Sequence, residues 1–405
     1  MTDNISETIT SSLDLEKIAA FLALQPPHKL RTTTLHNAWL QPMRGLSGGV
    51  MLGPDLDIFR QKKQWKSIDS FDVITTPETC LDGEYIYGGP IGHLHFGHVM
   101  AEFVHRIVPS IQRFGAGRFI FVARHRGPDK FETLPSWLQD IFAFLGISSN
   151  NIKIINSPCR VEHLHICQQG SCLGGDPEKS YLDLLSSFSS YRIASLNMNE
   201  IEPKNIYVSR SNLPPGGNFL GEYYIESLLR KKEVSIVYPE KLYFAQQFAT
   251  YKAAKKILFC EGSAAHGCQL FGSSDLNDVI LIGKREISTY KKVLTSRSKK
   301  FHVQSGNKFL GSLFRNPKGQ PLKHRGIHMF DMNHIISTLQ THQFADISQI
   351  FCHEDYITAV KNDFNKYIQY CMGLPALKIG EYSEISEFIG NFDRIINECR
   401  APISF

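Results

Sequence analysis

The sequence predicts an α/β protein built as two Rossmann-like domains with a cleft between them, followed by a helical C-terminal segment. Three observations carry this expectation. The chain has 405 residues, more than the roughly 250–300 that one hydrophobic core supports. Short apolar runs alternate with helix-length stretches, the rhythm of a parallel sheet wound with helices. That rhythm occurs twice, on either side of a break near residues 195–204. The expected units are therefore 1–200, 201–345 and a helical 346–405.

In the first unit Leu13 to Leu24 reads as a helix within an otherwise mixed helical and loop region up to residue 70. Val73-Ile74-Thr75 and Tyr85-Ile86-Tyr87 read as strands, and Gly88-Gly89-Pro90 breaks the run before a helix at 97–107. Arg118 to Val122 is a buried-strand run, and Pro135 to Leu145 is a helix closed by Gly146. Ile152 to Ile155 and His163 to Cys167 complete the unit as strands. In the second unit, strands are expected at Asn205–Ser209, Val234–Val237, Ile257–Cys260 and Val279–Ile282. Helices at Glu222–Lys232 and Phe244–Ala254 separate them. Ligands of such a sheet belong at the carboxyl ends of its strands. Residues 284–325 are basic and loop-rich, and the last sixty residues read as helical.

Composition narrows the function classes. Apolar content of 42% and charged content of 20% are those of an ordinary globular protein. A net charge of +5 is small for this length and gives no reason to invoke nucleic acid. It suits an anionic small substrate and a peripheral contact with acidic lipid equally. The nine cysteines are scattered without a CxxC pair, as reduced cytosolic thiols would be. Met1 to Thr10 lacks the layout of a signal peptide, and no run approaches the ~18 apolar residues of a membrane span. The expected location is cytoplasmic, at most peripheral to the inner membrane face.

Three segments carry chemistry. At about 100° per residue, a helix over 97–107 gathers His98, Glu102, His105 and Arg106 on one arc, with Val99, Met100, Phe103 and Val104 opposite. The stripe suits proton transfer and anion binding, and equally an exposed helix that spends its charges on i,i+4 pairs. The run Glu261-Gly262-Ser263-Ala264-Ala265-His266 follows a buried strand. Small residues there let a ligand approach the backbone, with Ser263 and His266 as donors. The same residues would also serve a tight turn that merely packs. Arg210, at the end of the strand Tyr207-Val208-Ser209, offers a donor fork suited to a diphosphate or to a salt bridge.

Taken in order, these pieces resemble glycosyltransferase family 61. The resemblance rests on Gly97-His98 with Glu102 and Arg106, on Tyr207-Val208-Ser209-Arg210, and on Phe244-x-x-Gln247 followed by Glu261 to His266. The family's Asn-Glu pair stands here as Gly221-Glu222, and its loop as Glu-Gly-Ser-Ala-Ala-His, a variant associated with bacterial members. The resemblance spans about residues 85–285.

The resemblance implies a GT-B-like enzyme that transfers a sugar, with inversion, from a nucleotide-sugar donor to an acceptor hydroxyl on a glycan or a lipid-linked glycan. The setting it implies is bacterial capsular or lipopolysaccharide synthesis. It implies no cofactor and no metal, with His98 or Glu102 as the base, Glu102 oriented by His98 being the preferred assignment. Arg210, Ser263 and His266 would contact the phosphates, Glu222 and Glu261 would line the nucleoside or sugar, Gln247 would brace the loop, and Arg106 and Gly262 would also bind substrate. The competing readings are a nucleotide-sugar-binding or scaffold protein without catalysis, and a phosphoryl or pyruvyl transferase using a similar cleft. Asp55-Leu56-Asp57 and the trio His93, His95 and His98 are weaker metal-binding patterns. The basic clusters at 231–232, 252–256 and 297–300 read chiefly as solvated faces.

Overall fold

The computed structural model describes residues 13–398, apart from 46, 64–65, 70–75, 93, 199–200, 285–287 and 375–381. The strand expected at 73–75 and His93 therefore lie outside the described residues. The first sheet contains β1 (Thr32–Arg44), β2 (Ser47–Val50), β3 (Thr79–Pro90), β4 (Phe119–Val122), β5 (Ile152–Ile155) and β6 (Cys159–Cys167). Its order is β2-β1-β6-β3-β4-β5. The run β6-β3-β4-β5 is parallel, as the strand–helix rhythm predicts, while β1 and β2 are antiparallel additions. Helices α1 (Leu13–Ala23), α2 (Ile107–Phe114), α3 (Ser136–Phe144) and α4 (Lys179–Ser195) accompany it.

The second sheet is wholly parallel. It comprises β7 (Asn205–Val208), β8 (Ser235–Val237), β9 (Lys256–Cys260), β10 (Leu276–Ile282) and β11 (Ser298–Gln304), in the order β8-β7-β9-β10-β11. Helices α5 (Glu222–Arg230), α6 (Phe244–Ala253) and α7 (Ser288–Arg297) lie among these strands. Gly221 opens α5 at φ 77°, a left-handed conformation, and its N–H donates to Asp363 Oδ2 at 2.9 Å. The basic stretch read as loop holds α7, β11 and a further strand at Lys308–Gly311. Lys299 and Lys300 are exposed on β11, the edge strand, where lysines discourage pairing with another sheet.

Both faces of the second sheet are buried, which is why its strands read as near-continuous apolar runs. Ile206, Val208, Ile257, Phe259, Val279 and Leu281 join a core shared with α3, α4, α6 and the first sheet. Phe144 of α3 meets Phe248 of α6 at 4.7 Å between ring centroids. The opposite face, with Tyr207, Leu258 and Ile280, packs on the C-terminal helices α8 (Met332–Thr341), α9 (His353–Met372) and α10 (Tyr382–Glu398). Among the described residues no helix is long and apolar enough to cross a membrane.

Candidate functional site

In the second sheet the neighbours β7 and β9 connect onward in opposite directions, β7 to β8 on one side and β9 to β10 on the other. The crevice between the carboxyl ends of β7 and β9 is thus the switch point at which such sheets bind ligands. Arg210 follows β7, and Glu261-Gly262-Ser263 follows β9. Space for the guanidinium depends on Gly262: a Cβ there would lie 2.2 Å from Arg210 Nη1. Buried Glu222, reaching back from α5, accepts the Arg210 N–H at 2.8 Å and the Tyr207 hydroxyl at 2.8 Å through Oε1. Glu222 is expected from sequence to line the substrate. Instead it is buried behind the strand end, where it fixes the backbone that carries Arg210.

The wall opposite comes from the first sheet. Phe96–His98 begin a helix just beyond β3, and Val99–Phe103 wind as a π-helix rather than an α-helix. This segment packs directly on the turn at Ser263–Leu270. A Cβ on Gly97 would lie 3.1 Å from His266 Cδ2 and 3.3 Å from Ser263 Oγ. The amphipathic reading of 97–107 overstated the wet face, since residues 99–111 are buried. His98 remains 28% exposed, and its Nδ1 meets Oε2 of the fully buried Glu102 at 3.0 Å. A carboxylate accepts, so Nδ1 carries the proton and Nε2 is the ring atom turned away from the pair. Of the two base candidates His98 lines the cleft, and Glu102 lies buried behind it.

Arg106 requires a correction. It is fully buried, and its three nitrogens donate to Gln61 Oε1 at 3.0 Å, to Phe59 O at 2.6 Å and to Cys167 O. A guanidinium so committed holds segments together and is not available to a substrate phosphate. His105 is likewise buried, against the Tyr181 hydroxyl at 2.8 Å. Gln247 lines a side pocket and donates to the Tyr251 hydroxyl at 3.1 Å. Asp57 of the DxD pattern pairs with Arg60 at 3.3 Å. Among the described residues no group of three or more His, Cys, Asp or Glu side chains is placed to hold a metal ion.

Between these walls lies a cleft of about 550 Å³, within the usual range of small-ligand sites. It brings together His98, Arg210, Glu261, Gly262, Ser263 and His266, and adds residues that motif reading missed. Chief among these is Lys284, two residues beyond the end of β10 and so findable by the same strand-end rule. Burial, with the charge of Arg210 next, pushes its amine down from the usual lysine range. Its Nζ donates to Gly217 O and its N–H to Glu261 Oε2 at 2.7 Å. Lys323 and Arg325 line the outer rim. A second pocket of about 380 Å³, walled by Phe96, Trp137 and Phe244, shares Arg210 and Ser263 with the cleft.

His266 stacks on Tyr290 at 4.8 Å between centroids, and burial pushes its imidazole down to about 3. It is therefore a neutral N–H donor at working pH. His105 is also pushed down to about 3 by burial. Both rings are neutral when folded and take up protons when unfolded between about pH 3 and 6.5. Unfolding thus binds protons in that window, and stability falls as pH drops through it by about 1.4 kcal/mol per unit for each ring. Urea denaturation at pH 7 and pH 5 checks this, and His105→Gln is expected to show a shallower dependence than the parent.

A parallel-sheet crevice lined by cationic side chains and faced by an imidazole–carboxylate pair is chemically suited to an anionic ligand and to proton transfer beside it. Residues 96–272 match the family model described as Glycosyltransferase 61, in keeping with the resemblance seen in the sequence. The match supports a transferase, and a glycosyltransferase family implies a donor and an acceptor as substrates. No relative is found among curated proteins.

Proposed function

We propose that the chain is an inverting glycosyltransferase in which His98, backed by Glu102, is the general base toward a nucleotide-sugar donor held at the switch point. The observation that carries this reading is the His98–Glu102 pair packed against the Ser263–His266 turn, in one cleft with Arg210 and Lys284. In the reaction His98 Nε2 takes the proton of an acceptor hydroxyl. The acceptor oxygen bonds to the anomeric carbon from the face opposite the leaving group, and the bond from that carbon to the phosphate oxygen breaks. The electron pair leaves with the nucleoside diphosphate. Glu102 offsets the charge that develops on the imidazole. Arg210, Lys284, Ser263 and the His266 N–H stabilise the departing phosphate by charge and donated hydrogen bonds, without a metal in the scheme. The pocket at Trp137 and Phe244 offers aromatic surface for the base of the nucleotide.

The finer reading is a GT-B-like arrangement of units 1–200 and 201–345 with a helical 346–405. Its setting is cytoplasmic, in bacterial surface-polysaccharide synthesis on a glycan or lipid-linked acceptor. The family resemblance supports it, together with two sheets whose strand ends meet at one cleft. Free thiols at the eight described cysteines agree with a reducing compartment. Thermal-shift and calorimetric titration with UDP, GDP, CMP and their sugars test the donor site. One nucleotide and its sugar are expected to stabilise the chain, and Arg210→Ala to remove the shift. Stabilisation by none of them would sink the reading.

A further inference from the structure

We propose that Gln61 and Gln169 are positioning residues for the His98–Glu102 pair, acting together on the main-chain carbonyl of Glu102. The inference rests on the reading of His98 as the base. In an α-helix the Glu102 carbonyl would accept from the N–H four residues on. Here Val99–Phe103 wind as a π-helix, closed by Val104 N–H to Val99 O at 3.2 Å. The Glu102 carbonyl instead accepts two side-chain amides, Gln61 Nε2 at 2.8 Å and Gln169 Nε2 at 2.9 Å. Single-turn π segments are frequent at functional sites.

Neither amide can turn over. Gln61 Oε1 faces Arg106 Nε at 3.0 Å, and Gln169 Oε1 faces the Lys62 N–H at 2.8 Å. Both of those groups only donate, so each Nε2 is the donor on the Glu102 side; that of Gln169 also meets Ser171 O at 2.8 Å and Lys62 O at 3.2 Å. Gln61 is fully buried and also donates to Gln169 Oε1 at 3.0 Å, which ties the two amides into one unit. Arg106 thereby acquires a role four residues from Glu102: it aims Gln61 while anchoring the segment. With its carbonyl fixed from two sides, the Glu102 backbone holds one orientation, and the carboxylate is aimed at His98 Nδ1. Gln61 lies outside the span 96–272, so the clamp reaches the site from a part of the chain that the family match does not include.

The test compares Gln169→Met and Gln169→Asn with the parent in the full chain, with His98→Gln as control. Readouts are kcat and KM with the donor found by binding, and the 15N–1H signal of the His98 Nδ1–H bonded to Glu102. The Met variant removes the donor at similar volume, and the Asn variant keeps an amide but withdraws it by one methylene. The expected result is a 10- to 100-fold loss in kcat, roughly the cost of a misplaced catalytic group, with KM nearly unchanged and the Nδ1–H signal shifted or lost. A folded variant with parental kcat and an unmoved Nδ1–H signal overturns the clamp. If Gln169→Met fails to fold, Gln169→Asn decides by the same two readouts. Full activity in His98→Gln would refute the base assignment instead, and the Nδ1–H signal then reads the clamp alone.

Discussion

His98→Ala is expected to lower kcat by about 10²–10⁴-fold, the usual contribution of a general base, while the donor binds as tightly as before. The split follows from position. His98 is the partly exposed member of its pair and faces the cleft, whereas the proposed phosphate donors follow the strands of the second sheet and are untouched. Glu102→Gln keeps the shape of the carboxylate but removes the charge that offsets the imidazolium, so a smaller loss in kcat is expected, again with parental donor affinity. Single-turnover assays separate chemistry from binding in both variants. Two outcomes would overturn the assignment: parental turnover in His98→Ala, or a Glu102→Gln loss exceeding that of His98→Ala, which would return the base to Glu102.

Gly262→Ala is expected to weaken donor binding about 10- to 100-fold, the value of one charge-assisted hydrogen bond between donor and guanidinium. A Cβ at 262 would sit 2.8 Å from Arg210 Cζ as well as 2.2 Å from Nη1, so the side chain must swing out of the crevice. The backbone itself is not strained by the change, since Gly262 has the extended φ of 170°. Arg210→Ala should therefore show a similar loss, and the double variant little more than either single one. Calorimetric titration of the nucleotide checks all three. Additive losses in the double variant would mean that Gly262 serves the ligand directly and not through Arg210.

How much of this was legible follows from the kind of signal each residue leaves. The second sheet was readable because a parallel sheet buried on both faces leaves uninterrupted apolar runs, and all four expected strands are present. The first sheet was harder. β1 was not expected, since Pro42 and Asn37, at φ 53°, disturb the alternation that marks a strand. The segment 97–107 misled for another reason. Periodicity identifies a helix but cannot rank its faces once the first sheet and the Ser263–Leu270 turn cover nearly all of them.

By itself the sequence determined the family resemblance, the strand-end positions of Arg210 and Glu261–His266, and the presence of a histidine and a carboxylate four residues apart. Those are local facts, set by apolar runs, small residues and spacing along one chain. Only the tertiary structure decided which polar groups face the cleft. Arg106 is committed to Phe59, Gln61 and Cys167, between 45 and 61 residues away in sequence, and Glu222 to Tyr207 and the Arg210 N–H. Lys284 and Gln169 reach the site from other strand ends and loops. A charged side chain is available to a ligand only if no protein partner has claimed it, and that is settled by contacts distant in sequence.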